Sequence, residues 1–243
     1  MRAWFFATWL AKGTFMERNK KKIETKAVVG MAMFAALAFV LSQVIRFPVM
    51  FLTFDVKDAI ICTSAFIYGP IAAPIVSLMA AFLELITNIS GTGIYGFLMN
   101  FLSSAALSSA ASLIYYKWRT LNGAIVSLMV AVACMVAVMM GANILITPYY
   151  MTGGSVKAVV QLIPSVLLPF NLAKGLLNAA ITLLIYKPVK MAMKRAGLIK
   201  KKTSADKASS AEEFRFTKST GIIIAVAGAM ITAAVILFYI LLR

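Results

Sequence analysis

Long apolar runs alternate with short polar stretches along the chain. After residue 26 the apolar segments are Ala27–Ile45, Asp58–Tyr68, Ile71–Asn88, Gly96–Tyr116, Gly123–Ile146, Ser165–Tyr186 and Gly221–Leu242. An α-helix rises about 1.5 Å per residue and needs about 20 residues to cross a bilayer, so the longer segments are predicted to be membrane-spanning helices. The second segment ends at Gly69-Pro70 and is too short to span alone. It must therefore be tilted, shielded by its neighbours or extended across a kink.

The amino-acid composition places the chain among membrane proteins. Hydrophobic residues make up 62% of its 243 residues and charged residues 13%, whereas soluble domains contain roughly 45–50% apolar residues. The sequence has no histidine, two cysteines and no GxxxxGK[ST] phosphate loop, which argues against zinc, haem and Ser-His-Asp chemistry and against ATP hydrolysis by this chain. We expect an all-α polytopic membrane protein that is not an enzyme and holds no cofactor.

The polar stretches divide the chain into four parts. Residues 1–26 form a basic N-terminal segment, residues 27–190 contain six apolar segments, residues 191–219 form a basic linker, and residues 220–243 contain the seventh apolar segment. The linker is rich in charge, serine and alanine and is predicted to be flexible. The last segment has no internal polar residue beyond Thr232, which predicts a plain lipid-facing anchor.

The distribution of positive charge indicates the orientation in the membrane. Most of the 24 lysines and arginines lie before Ala27, in the short connection that contains Lys117 and Arg119, or between Lys187 and Lys218. Cytoplasmic loops carry an excess of such residues, so the N-terminus and the linker are predicted to be cytoplasmic and the C-terminus extracellular, in a multi-pass cell-membrane protein. The net charge of +16 is then an orientation signal that also attracts anionic lipid, and it does not indicate nucleic-acid binding.

Polar residues inside the apolar segments predict a binding pocket at the outer face. Asn143, Asn171, Lys174, Asn100 and Glu84 lie near the outer ends of their segments, beneath connections 46–58, 88–96 and 147–164, which are rich in Gly, Pro, aromatic or polar residues. A charge within a span costs roughly 2.5–3.5 kcal/mol on insertion scales, so it usually faces a cavity or a partner. Such a set suits a polar, ring-containing solute. The alternative is a buried Lys174–Glu84 ion pair, with asparagines that only join helices.

The first apolar segment carries small residues on one face. Ala32 and Ala36 are four residues apart and therefore lie on the same side of a helix. Small residues at this spacing let a second helix approach closely. The face serves either internal packing or docking onto a separate membrane partner.

Three separated motifs resemble a known family. They are "FLTFDVKDAIICTSAFIYGP", "NILITPYYM" and "LLPFNLAKGLLNAAIT", and the likeness covers residues 27–190 in order. This region resembles the riboflavin-binding S components of energy-coupling factor (ECF) transporters. The resemblance implies a six-helix S-component bundle, here with an extra C-terminal transmembrane helix, that binds riboflavin near the outer surface. Binding of riboflavin alone and binding of both riboflavin and its phosphate FMN are the two alternatives for the ligand. It also implies association with a membrane T component and two cytoplasmic ATPase subunits.

The resemblance assigns roles to individual positions. Asn143 and Lys174 match residues that hydrogen-bond the flavin, and the Leu52–Asp55 stretch matches a loop that closes over the ligand. Ala32 and Ala36 match the surface used against the T component. The ligand-binding residues predicted in this way, together with their polar and aromatic neighbours, are Asn143, Lys174, Asn171, Leu52, Phe54, Asp55, Tyr95, Asn100, Thr147 and Tyr149.

Other functions remain open at this point. The same architecture serves other vitamins, such as thiamine or pantothenate, although the three motifs favour riboflavin. A stand-alone secondary transporter usually has inverted repeats and broken helices around ion sites, and the sequence shows no convincing internal repeat. A membrane enzyme is disfavoured by the lack of histidine and of clustered carboxylates.

Overall fold

The computed structural model describes residues 25–49, 52–87, 93–151, 153, 155–198 and 219–242. Within these residues the chain forms seven helices and one β-hairpin. The elements are α1 (Thr25–Val44), β1 (Arg46–Val49), β2 (Leu52–Asp55), α2 (Lys57–Tyr68), α3 (Ala72–Thr87), α4 (Gly93–Lys117), α5 (Leu121–Tyr150), α6 (Val156–Arg195) and α7 (Ser219–Leu242). The predictions for residues 1–24, for the middle of the second outer connection and for most of the basic linker lie outside the described residues.

Five of these helices are long and apolar enough to cross a membrane, namely α1, α4, α5, α6 and all but the ends of α7. The apolar helix α3 is shorter, with 16 residues. The fold is therefore the all-α multi-pass membrane bundle that the sequence predicts.

The short second segment is shielded by its neighbours. Every residue of α2 from Lys57 to Phe66 is buried. The segment does not continue through a kink, because α2 ends at Tyr68 and Gly69 has φ 98°, a left-handed conformation that glycine adopts without strain. Of the three alternatives for this segment, burial among other helices is the one the structure bears out.

The predicted outer connection 147–164 is mostly helical, which corrects the loop assignment. Helix α5 continues through Pro148 to Tyr150, and α6 already begins at Val156. A π-helical turn over Ile163–Leu167, with Pro164 near its start, joins the first part of α6 to the long second part. At its other end α6 extends to Arg195, beyond the predicted boundary of the membrane domain at residue 190.

The first predicted outer connection is an antiparallel β-hairpin. Arg46 pairs with Asp55, and Phe47 pairs with Phe54. The hairpin leads directly into α2, so its last residue is fixed next to the start of a buried helix. We call the side of the bundle that carries this hairpin the hairpin end.

Helix α7 is not a plain lipid-facing anchor, which corrects the prediction for the last segment. Its residues Ile223, Ala227, Met230 and Ala234 are buried in the same apolar cluster as the inner faces of α4, α5 and α6. These residues are three or four positions apart and form one stripe of the helix, while Ile224, Val235 and Tyr239 remain exposed. One side of α7 thus packs on the bundle along its length.

Candidate binding cavity

A polar cavity lies at the hairpin end of the bundle, between the hairpin and helices α1, α3, α4, α5 and α6. Its volume is about 110 Å³, below the roughly 300–1,000 Å³ of typical ligand pockets. The cavity is lined by Ser42, Arg46, Leu52, Thr53, Asp55, Lys57, Glu84, Gly96, Met99, Asn100, Ser103, Met139, Asn143, Tyr150, Phe170, Asn171 and Lys174. The hairpin supplies one wall of the cavity through Arg46, Leu52, Thr53 and Asp55.

Lys174 is buried and paired with two carboxylates. Its Nζ lies 3.2 Å from Asp55 Oδ2 and 3.7 Å from Asp58 Oδ2. The side chain of Lys174 is 5% exposed, and those of the two aspartates are equally buried. A buried charge is tolerated when it is paired in this way. The pairing also joins the hairpin and α2 to α6 across the cavity.

The predicted alternative of a Lys174–Glu84 ion pair is wrong, because Glu84 pairs with a different lysine. Lys57 Nζ donates to both oxygens of Glu84, at 2.8 and 2.7 Å. The amide Nδ2 of Asn100 donates to Glu84 Oε2 at 2.9 Å. Lys57, the first residue of α2, is 2% exposed and is therefore a buried member of the site, not a residue of an exposed loop.

The carboxylate of Asp58 is held by hydrogen bonding on one side only. The hydroxyl of Ser104 donates to Asp58 Oδ1, whereas Asp58 Oδ2 has no hydrogen-bond partner within the described part of the chain and lies 3.7 Å from Lys174 Nζ. The nearby hydroxyl of Ser103, which lines the cavity, is also buried without a hydrogen-bond partner among the described residues. Buried polar atoms without a hydrogen-bond partner are uncommon in folded proteins, so these two atoms are candidates for contacts with a bound solute.

The two predicted asparagines retain unused hydrogen-bonding atoms. Asn143 donates from Nδ2 to the Met139 carbonyl at 2.7 Å and accepts from Thr147 Oγ1 at 2.9 Å. Asn171 donates from Nδ2 to the Leu167 carbonyl at 2.8 Å. An amide group has two N–H donors and an oxygen with two lone pairs, so each asparagine has capacity left toward the cavity that it lines.

Asn178, on the same face of α6 as Asn171 and Lys174, has a structural role. Its Nδ2 donates to the Asp55 carbonyl at 3.0 Å, and its Oδ1 accepts from the Ala59 amide at 2.9 Å. Asn178 therefore fixes the junction between the hairpin and α2. Residues 171, 174 and 178 are three and four positions apart, so the sequence predicts that their side chains share one helix face. The spacing does not predict which of them has a structural role.

The environment of Asp55 lowers its pKa. Burial alone would raise the pKa of this carboxyl group, but the positive charges of Lys174 and Lys57 outweigh that effect. Because the folded pKa is depressed, the ion pair contributes its full stability above the unfolded value of about 3.9. That stability is lost only as the pH falls through the folded pKa, so Asp55 stays charged at neutral pH.

Six of the predicted ligand-binding residues line the cavity and four do not. The six are Leu52, Asp55, Asn100, Asn143, Asn171 and Lys174. Phe54, a residue of the hairpin, is buried outside the cavity lining, and Thr147 is buried and donates to Asn143 Oδ1. Tyr149 is 74% exposed. Tyr95 stacks on Tyr150, which does line the cavity, with the ring centroids 5.8 Å apart.

Sequence reasoning missed several residues of the site. Lys57, Ser42, Met99 and Phe170 line the cavity and were not predicted to do so. One feature of the sequence could have identified Lys57 as a site residue. Lys57 and Asp58 are two adjacent charged residues at the start of a short apolar helix. The others are ordinary in their local sequence, and only the packing of the helices places them together.

The small-residue face of α1 is accessible. Ala36 is exposed and Ala32 is partly exposed, while Gly30, Ala35 and Ala38 face the inside of the bundle. The internal packing of α1 thus uses other small residues, and the Ala32–Ala36 face is left available.

A multi-pass bundle with a buried, charged cavity at one end defines a membrane protein that binds a small polar solute. The family model for ECF transporter substrate-specific components matches residues 26–186. This range is most of the chain, so the protein belongs to that family. Helix α7 lies beyond the matched range.

Two curated relatives and one solved structure resemble the chain. The riboflavin transporter RibU of Staphylococcus aureus (strain TCH60) is 28% identical over 181 residues, which cover 71% of this chain and 94% of the relative. The riboflavin transporter FmnP of Bacillus subtilis (strain 168) is 27% identical over 175 residues, which cover 68% and 92%. A structure described as the S component of a bacterial ECF transporter aligns with a TM-score of 0.60 at 27% identity and covers 70% of this chain and 99% of its own.

Proposed function

We propose that this protein is the subunit that captures riboflavin for uptake by an ECF transporter. The main structural support is Lys174, a buried lysine that lines a polar cavity. In addition, two curated relatives of the chain are named as riboflavin transporters. In this proposal riboflavin is cargo and not a cofactor, and the chain binds it without catalysing a reaction.

The hydrogen-bonding capacity of the cavity suits the polar edge of a flavin ring, on which two carbonyl groups flank one N–H group. An ammonium group has three donors. Lys174 uses one of them in its hydrogen bond to Asp55 and lies within ion-pair distance of Asp58, so at least one donor is left for a ligand carbonyl. The free amide oxygen of Asn171 suits the N–H group, and the second N–H of Asn143 suits the other carbonyl. Tyr150, Met99 and Leu52 offer apolar surface to the flat part of the ring.

The hairpin is proposed to act as the movable wall. The cavity volume of about 110 Å³ is too small for a three-ring system, so riboflavin enters only when the hairpin moves away from α6. The contacts of Asp55 with Lys174 and Asn178 re-form when the hairpin closes. Phe54, Tyr95, Thr147 and Tyr149 then support the site from behind or at its rim.

Uptake is proposed to require an energising module made of a membrane T component and two cytoplasmic ATPase subunits. The exposed Ala32–Ala36 face of α1 is the proposed contact with the T component. In the proposed orientation the N-terminus and the basic linker 191–219 are cytoplasmic, the hairpin end faces outward, and the C-terminus is extracellular. Residues 27–190 form the binding unit, and residues 220–243 add a separate spanning helix.

Equilibrium dialysis of the purified full-length protein against riboflavin, FMN, thiamine and pantothenate tests the substrate. We expect saturable binding of riboflavin and no binding of thiamine or pantothenate. Binding of one of these two vitamins instead would identify a different substrate for the same fold, and binding of FMN would extend the substrate class.

The variant Lys174→Ala tests the site. A hydrogen bond that involves a charged group is worth about 1.5–3 kcal/mol. Loss of the proposed contact between the Lys174 ammonium group and a ligand carbonyl should therefore lower riboflavin affinity roughly 10- to 100-fold. Lys157→Ala, which removes an exposed lysine, is the matched control and should bind normally. Circular dichroism establishes that each variant is folded, and unchanged affinity in folded Lys174→Ala would contradict the proposed role.

A further inference from the structure

The end of α7 packs on the back of the hairpin. The ring of Phe238 meets the ring of Phe54 edge-to-face, with centroids 5.4 Å apart and an interplanar angle of 88°. It meets the ring of Phe170 in the same manner, at 6.3 Å and 82°. We call these three residues the aromatic triplet. A ring from the last helix thus contacts the hairpin and α6 at once.

The aromatic triplet is part of a second apolar cluster at the hairpin end, and Phe238 packs against both this cluster and the large one. Its buried members are Val49, Phe54, Val56 and Phe170, and the partly buried residues packed against them are Leu41, Ile45, Leu52, Leu177, Ile181, Phe238 and Leu241. Phe238 and Leu241 are the two contributions from α7. Helix α7 therefore supplies part of the surface on which the hairpin rests.

Both partners of Phe238 are directly connected to the cavity. Phe54 precedes Asp55, whose carboxylate pairs with Lys174, and Phe170 precedes Asn171 and itself lines the cavity. The polar side of the hairpin is held by ion pairs and hydrogen bonds, and the apolar side is held by this cluster. A movement of the hairpin away from α6 must separate the ring of Phe54 from at least one other ring of the triplet.

We propose that Phe238 is a positioning residue for the binding cavity, through which α7 holds the hairpin closed and slows the release of bound riboflavin. The proposal rests on the proposed function for the identity of the ligand. Phe238 lies beyond the family-matched residues 26–186, whereas its partners Phe54 and Phe170 lie within them. The last helix of this chain therefore adds a contact to the matched six-helix unit.

The release rate of riboflavin from the full-length protein tests this proposal. Each edge-to-face aromatic pair stabilises its contact beyond the area that it buries, and two pairs are lost in Phe238→Ala. We expect riboflavin to dissociate about tenfold faster from this variant, with a small change in the association rate. Tyr239→Ala is the matched control, because it removes a neighbouring aromatic ring that is 66% exposed, and its dissociation rate should equal that of the parent protein.

Two further variants separate positioning from general loss of stability. Phe238→Leu keeps apolar bulk and removes the ring, and we expect it to be intermediate. Ile231→Ala removes a partly buried side chain of α7 that packs in the other cluster. It should lower the melting temperature and leave the dissociation rate unchanged. Equal dissociation rates for Phe238→Ala and Ile231→Ala would overturn the proposal.

A measurement without ligand keeps the proposal separate from the substrate assignment. A spin label at Phe47→Cys reports on the hairpin, since Phe47 is 58% exposed and pairs with Phe54. The exposed Cys134 is replaced by serine in this background, and Cys62 is buried. We expect Phe238→Ala to increase the mobility of the label and Tyr239→Ala to leave it unchanged. The two proposals fail in distinguishable ways. If the parent protein does not bind riboflavin, the proposed function is wrong, and the mobility of the spin label still tests the role of Phe238. If riboflavin binds normally and Phe238→Ala changes neither the dissociation rate nor the mobility of the label, only the inference about Phe238 is wrong.

Discussion

The two ends of the helical bundle are equally buried but are built from different chemistry. The apolar cluster of α2, α4, α5, α6 and α7 contains Leu128, Met135 and Leu183, each at most 1% exposed. At the hairpin end the buried residues include three carboxylates and two lysines. Apolar packing tolerates many substitutions of similar volume, whereas buried charges are stable only with their own partners. The difference indicates that the hairpin end is arranged for binding and the rest of the bundle for stability.

The largest effect is expected from Lys57→Met, which removes a charge from the hairpin end. The variant leaves Glu84 buried with only Asn100 as a hydrogen-bond donor, and breaking a buried pair costs about 3–5 kcal/mol. We expect a marked drop in the melting temperature of the ligand-free protein and weaker riboflavin binding. The double variant Lys57→Met/Glu84→Gln should recover much of the lost stability. If its melting temperature is no higher than that of Lys57→Met, the pairing of Lys57 with Glu84 is not the source of the stability that Lys57 contributes.

A somewhat smaller effect on stability is expected from Leu128→Ala, at the other end of α5. Leu128 lies eleven residues before the cavity residue Met139, roughly 16 Å along the helix axis. The cavity left by the substitution costs about 2–5 kcal/mol. We expect a lower melting temperature with riboflavin affinity unchanged within about twofold, measured well below the transition. A loss of affinity would show that the two ends of the bundle are coupled.

Asn143→Ala is expected to affect binding more than stability. The variant loses the side-chain amide of Asn143 and with it one proposed hydrogen bond to the ligand, worth about 0.5–1.5 kcal/mol. Riboflavin affinity should therefore fall up to about tenfold. Thr147→Val is the matched control, because Thr147 is buried and bonds Asn143 but does not line the cavity. We expect a smaller loss in Thr147→Val by equilibrium dialysis, and the reverse order would assign the ligand contact to Thr147.

The smallest effect is expected at the rim of the site. Tyr149→Ala changes a residue that is 74% exposed, so riboflavin affinity should stay within about twofold. Tyr150→Ala changes the neighbouring residue, which lines the cavity and stacks on Tyr95, and it should weaken binding several-fold. A large loss in Tyr149→Ala alone would place the ligand nearer the rim than we propose.

The comparison of the two ends also explains which features were predictable. The apolar segments were recognised to within a few residues for α1 and α2, because length and hydrophobicity are local properties. The limits of α6 were wrong at both ends. The polar and proline-containing stretch up to Pro164 suggested a connection where the chain forms helix and a π-helical turn. The charged residues after Tyr186, together with Pro188, suggested the end of the segment, although the helix continues to Arg195. The hairpin was missed because it consists of two four-residue strands that hold a proline, and packing against α6 and α7 compensates for their weak local signal.

The sequence by itself determined that the chain is a multi-pass membrane protein and that one face of α6 is polar. These conclusions need only composition, segment length and the spacing of Asn171, Lys174 and Asn178. Only the tertiary structure decided which charges pair, because Lys174 and Asp55 are 119 residues apart in the chain and five buried charges allow several arrangements. It also decided that α7 reaches the hairpin through Phe238. Contacts between distant segments depend on how the helices pack, and no local pattern of residues records that packing.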